Sequence, residues 1–271
     1  MKFSQRKGRK PVSDRVQRDG MDEPLRNTLW NVLDLFIWSR EGFLDAPSYT
    51  RPGIDQFSRL MWLGYFKQPI DSRPDNAWGI HQHIRHYFFT SHWYEVYDLL
   101  EWVLRLEKND DLTDAINEVL ERELSAYRYV GDQFTDITDP QEVEMLQEAL
   151  EDTDYPTVRA HLARALELLS DRKAPDYRNS IKESISAVEA LARQITGNSS
   201  ATLADALKSL HRVDRLHPAL RDGFLKLYGY TSDENGIRHA MLEEPNLSVD
   251  EARYFLLSCT AFINYLKSRS R

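Results

Sequence analysis

Asp176-Tyr-Arg-Asn-Ser-Ile-Lys-Glu-Ser-Ile-Ser-Ala-Val-Glu-Ala-Leu-Ala-Arg-Gln-Ile195 is the stretch that decides the fold. Ile181, Ile185, Val188, Ala192 and Ile195 recur at three and four spacing, which predicts one buried stripe on a long helix. Asn179, Glu183, Ser186 and Ala190 recur at the same spacing on another side, giving a narrow face of small and polar residues. Such a face serves as a solvated surface, a close helix contact or a functional wall. The neighbouring segments carry the same signature. Thr157–Ser170 places Val158, Leu162, Ala165, Leu166 and Leu169 on one side. Thr202–Leu210 is a short helix, and Pro218–Tyr228 starts with proline in its first turn and is expected to stop at Gly229. Ser248 and Glu251 form a capping box for a last helix whose inner stripe is Ala252, Phe255, Leu256, Cys259, Phe262, Ile263 and Leu266. These helices predict an up-and-down bundle.

Upstream the pattern stays helical. Leu25, Leu29, Val32, Leu33, Phe36 and Ile37 follow Pro24; Asp55–Phe66, Ala77–Phe89, Trp93–Leu106 and Leu112–Ser125 read as further helices. The period then changes. Tyr127–Val130 and Phe134–Ile137 flank Gly131-Asp132, so a small hairpin is expected near residues 127–137. Thr138 and Gln141 are read as a capping box for a helix to Leu150. The expected fold is all-α, with that hairpin as its only sheet. All six Trp lie within the first 102 residues, and an acidic stretch ending in Pro156 follows the last helix of the front half. The division predicted is a basic arm (1–20), an N-terminal helical unit (21–153) and a C-terminal helical bundle (154–271).

The 271 residues are 41% apolar and 29% charged, which suits a folded chain and argues against disorder. Mean hydropathy is −0.58 and no apolar run reaches membrane-spanning length, so no membrane is expected. Cys259 is the single cysteine, which excludes an internal disulfide or a multi-cysteine zinc site and suits a reducing cytoplasm. The opening residues have no apolar core of a secretory signal, and no phosphate-cradling glycine loop occurs. Net charge is −8 but unevenly spread: +5 on residues 1–19, +3 on 157–271, and −16 between them. A polyanion is repelled by the middle and accepted by the ends, unless the arm folds onto the acidic body.

Few residues offer chemistry. Arg238 and His239 sit beside Gly236 in a loop between two helices. An imidazole works as acid or base near neutral pH, and a guanidinium grips a phosphate through paired hydrogen bonds; together they suffice for metal-free cleavage of RNA. The bland alternative pairs Arg238 with Asp233 or Glu234 and leaves His239 capping a helix end. His81, His83, His86 and His92 cluster without carboxylates at matching spacing, so no metal is expected. Trp93, Tyr94, Tyr97 and Trp102 read as core or partner-contact aromatics.

Tyr177 to Ala190, His217-Pro-Ala-Leu, Leu227-Tyr-Gly-Tyr-Thr-Ser-Asp, Gly236-Ile-Arg-His-Ala240 and Ser258 to Leu266 resemble the C-terminal HEPN-like region of AbiJ-type abortive-infection proteins. Phe3-Ser-Gln-Arg-Lys-Gly, Lys10-Pro-Val, Leu25 to Asp34, Trp93 to Asp98 and Glu123 to Arg128 resemble an AbiJ N-terminal domain type. The resemblance implies a HEPN-like bundle, commonly dimeric, that cuts RNA without a metal or other cofactor in antiviral defence, with the front unit meeting a phage or host trigger. It implies Arg238 on the phosphate and His239 as acid/base, with Asn179 and Glu183 as polar support from the facing helix. HEPN signatures separate the Arg from the His by four to six residues. Arg238 and His239 are adjacent, and Arg212 with His217 supplies a spaced second choice. Arg178, Lys182, Lys7, Arg9 and Lys10 are the expected nucleic-acid contacts. The rival expectation is a non-catalytic module that binds nucleic acid or a partner protein.

Overall fold

A computed structural model describes Phe3, Lys7 and residues 16–39, 52–171, 174–212, 216–232 and 247–270. The chain forms two compact units, Met1–Thr138 and Asp139–Arg271. It is mainly all-α, as expected, with one two-stranded sheet among the described residues.

The first unit opens with α1 (Glu23–Leu33), whose free N–H of Leu25 is taken by the Asp22 carboxylate at 2.9 Å. A π turn, Asp34–Trp38, extends it. Next come α2 (Pro52–Leu60), running into a second π segment at Met61–Phe66, then α3 (Ala77–Thr90), α4 (Trp93–Glu107) and α5 (Asp110–Arg122). Asn76 and Asn109 cap α3 and α5. The core is built from the predicted stripes, with Leu25, Leu29, Met61, Trp62, Ile80 and Leu100 fully buried. In the second π segment, Gly64 faces the edge of the Trp102 indole so closely that a Cβ there would lie 2.3 Å from a ring carbon. Strands β1 (Arg128–Val130) and β2 (Gln133–Thr135) pair antiparallel with Val130 opposite Gln133. The two linking residues, Gly131 and Asp132, have φ of 58° and 68°, the paired left-handed geometry of a tight hairpin. Gln17 bridges to Ser125; its N–H donates to Leu124 O and its side chain to Glu123 O.

The second unit is a bundle: α6 (Pro140–Glu151), α7 (Pro156–Ser170), α8 (Tyr177–Thr196), α9 (Leu203–Arg212), α10 (Pro218–Ser232) and α11 (Val249–Ser270). Helix α8 is its axis, packing on α7, α9, α10 and α11, while α6 packs on α7 and α11. The stripe of α8 is buried at Ile181, Ile185, Val188 and Ala192. Ile195 is only partly covered, near the helix end at Gly197, whose φ is 68°. Buried serines sit where α7 and α8 approach: Ser180 Oγ donates to Ala165 O at 2.8 Å and Ser184 Oγ to Ser180 O at 2.9 Å. The reciprocal bonds of Ser248 and Glu251 form the expected box.

Two boundaries differ from expectation. Helix α6 is capped by Asp139, not Thr138, because Pro140 occupies the first helical position and fixes the cap as the residue before it. Helix α10 continues through Gly229 to Ser232 without a left-handed turn at that glycine. A glycine permits a stop but does not impose one.

Candidate functional site

Two bonds pin α7 antiparallel to α8 beyond their buried stripes. Near the connection, Ser180 bonds Ala165; at the far end, the Gln194 amide donates to Asp154 O at 3.2 Å. Between these points the polar side of α8 faces a cleft of about 630 Å³. Thr157 and His161 of α7 line it, with Ser186, Glu189, Ala190, Arg193 and Gln194 of α8 and Gly197 and Ser199 beyond.

His161 Nδ1 lies 2.6 Å from Glu183 Oε2. An ionised carboxylate only accepts, so Nδ1 carries the hydrogen, and in the neutral ring Nε2 is then the free acceptor. The imidazole is about one-third exposed and Glu183 about one-quarter, so the pair is not sealed in the core, and His161 lines the cleft. Arg164 lies near enough to Glu183 to feel its charge. Arg193 is held at two points, Nε to Ala201 O at 2.7 Å and Nη2 to Glu189 Oε1 at 2.9 Å. This is an acid/base side chain oriented by a carboxylate, with an arginine ion-paired to Glu189 elsewhere on the same wall. An imidazole so held can move a proton.

The residues expected from sequence are distributed as follows. Glu183 is in this cluster. Asn179 is one turn away at the start of α8, where its side-chain amide donates to Asp176 Oδ2 at 2.6 Å and its backbone N–H to Oδ1 at 2.9 Å. Arg178 and Lys182 are exposed on α8. Arg238 and His239 lie outside the described residues, as do Arg9 and Lys10. Arg212 ends α9, and His217 is exposed at the start of α10, where Nδ1 accepts the Ala219 N–H at 3.2 Å. Lys7 is exposed, 6.0 Å from the Phe3 ring. Of the front-half histidines, His81 and His83 are otherwise engaged. Buried His81 donates Nε2–H to Asp34 at 2.9 Å, and His83 stacks obliquely on Trp62 at 4.7 Å. Burial, then His86, pushes the His83 imidazole below its ordinary range. No group of three His, Cys, Asp or Glu gathers to hold a metal among the described residues.

His161 and Arg193 are not among the residues the sequence reading singles out, yet each leaves a signal. Arg193 stands three residues after Ala190 and continues the row Asn179, Glu183, Ser186, Ala190. His161 stands three after Val158 and four before Ala165, on the flank of the α7 stripe where a side chain is half covered.

The fold and this cleft define a mainly helical protein of two units, the second built around a polar groove. The sequence model described as AbiJ N-terminal domain 4 matches residues 1–152, more than half of the chain. The chain belongs to that AbiJ family, which places it among abortive-infection proteins of phage defence. No curated protein and no solved structure matches it.

Proposed function

We propose that this protein is an abortive-infection effector whose C-terminal bundle is HEPN-like and cuts RNA without a metal. The observation that supports this reading is the Glu183–His161 pair. Glu183, expected as polar support for acid–base chemistry, is bonded to an imidazole at the wall of an open cleft. In this reading Arg238 holds the phosphate and His239 acts as acid/base, with Asn179 and Glu183 on the facing helix. Arg178, Lys182 and the arm residues Lys7, Arg9 and Lys10 draw in the polyanion. The RNA 2′-oxygen bonds to phosphorus as its proton is removed, the bond to the 5′-oxygen breaks, and that oxygen takes a proton. The products are a 2′,3′-cyclic phosphate and a 5′-hydroxyl. A homodimer through the bundle, in the cytoplasm, sets two such sites together, and the AbiJ N-terminal unit meets the phage or host trigger.

The test is RNA cleavage by the purified full chain in EDTA. Cyclic phosphate ends are expected, with loss of cleavage in His239→Ala at an unchanged melting temperature. Intact RNA at high concentration of folded protein would count against the nuclease and leave the rival, a non-catalytic module that binds nucleic acid or a partner protein.

A further inference from the structure

Another cavity, of about 500 Å³, belongs to the first unit, where residues of α3, α4 and the second π segment line it. Part of the lining is aromatic. The Tyr65 hydroxyl donates to Glu95 O at 3.1 Å, so in its 2.9 Å bond to Tyr87 it accepts the Tyr87 proton. This relay fixes both phenol rings. Phe66 meets the rings of Tyr87 and His83 edge-on, with centroids 5.2 and 5.3 Å away.

The remainder is acidic. Glu95 and Asp98 stand three residues apart on one face of α4. Glu95 Oε2 accepts the His92 N–H at 2.7 Å, and neither carboxylate pairs with a lysine or arginine among the described residues. Burial, then Glu95, raises the Asp98 carboxyl above the ordinary aspartate range. No lysine or arginine lines the cavity; Lys67, next to Phe66 in sequence, is exposed and is not part of the lining. His83, held below the ordinary imidazole range by its burial, adds no charge at neutral pH. Two carboxylates without a counter-charge repel an anionic ligand, and a neutral apolar ligand would leave them desolvated and unpaired. An organic cation satisfies both sides, with its charge on the carboxylates and its body against the rings.

We propose that this cavity binds an organic cation, a guanidinium or primary ammonium head group on a short carbon stem, with Glu95 and Asp98 as its counter-charges and Tyr65, Phe66 and Tyr87 as its aromatic wall. The net charge of −16 on residues 20–156 draws such a ligand in. Two sources share this chemistry, a free amine or guanidine and the arginine or lysine side chain of a polypeptide. The proposal goes beyond the nuclease reading and is independent of it, since none of these residues takes part in RNA cleavage.

The experiment is calorimetric titration of the full chain near neutral pH and at low salt with two probes, agmatine and the peptide acetyl-Gly-Arg-Gly-amide. At least one is expected to bind with Kd below about 1 mM. Tighter binding of agmatine assigns the cavity to a free cation, and tighter binding of the peptide to a polypeptide side chain. Asp98→Asn should weaken binding about tenfold. Glu118→Gln removes an equal charge from α5, outside the cavity, and should leave binding within about twofold. Neither residue is buried, so both variants should melt with the parent. Asp98→Lys, which places a like charge beside the ligand, should abolish binding. The proposal is overturned if neither probe binds at about 10 mM, if Asp98→Asn binds like the parent, or if Glu118→Gln weakens binding as much as Asp98→Asn does. Each of these results leaves the RNA cleavage reading where it stood.

Discussion

Asp55 accepts from two guanidiniums, Arg59 Nε and Arg73 Nη2, each at 2.7 Å. The Arg59 bond above all, then Arg73, holds its carboxyl below the ordinary aspartate range. The folded state therefore binds its proton more weakly than the unfolded chain, and the resulting stabilisation is present above about pH 4 and lost as pH falls through the folded value. Asp55→Asn should melt below the parent at pH 7, and the gap should close as the pH is taken below about 4 in a series of thermal melts. At this scale the sequence is legible only along one helix. Glu183 and Ser186 can be placed on one face by counting, but the partner of Glu183 is 22 residues away on α7, and no local spacing encodes that meeting. Gly64 is opaque for the same reason, since its need for a missing Cβ comes from Trp102, 38 positions on.

Among the elements, α8 was legible from its apolar residues at helical spacing, Ile195 apart, which is only partly covered; Asp176 before it and Gly197 after it cap the same span. Leu191 is fully buried on that helix. Leu191→Ala should cost about 2–5 kcal/mol in urea unfolding of the second unit. A loss below about 1 kcal/mol would mean that α8 is not the axis of the bundle. The hairpin was legible from Gly131-Asp132 between two β-prone runs, because two consecutive left-handed residues suit that pair and few others. The π segments were not. A widened turn has no residue code of its own and is fixed by packing, as at Met61–Phe66. Adjacent candidates for a cap, Thr138 and Asp139, are separated only by asking where Pro140 can stand.

For the whole molecule, charge and family lead to one experiment. Residues 1–19 carry +5 ahead of a middle stretch at −16, and the chain just inside the arm is stitched to the body at Gln17 and Ser125. If the arm is a nucleic-acid contact, deleting residues 1–15 should weaken binding of an oligouridylate methylated at every 2′-oxygen, which cannot be cut, and reduce its salt dependence. An unchanged salt slope would rule that contact out. Membership of the AbiJ family was legible from long strings spread over the front half, whereas the chemistry of the second unit depends on side chains brought together from separate helices.

Cys259 lies in the inner stripe of α11 with no exposed surface, and burial drives its thiol far above the ordinary range. It is also the only sulfhydryl in the chain. An alkylating reagent can reach it only when the bundle opens, so the rate of modification is a built-in clock for breathing of the C-terminal half, readable by mass without any introduced label.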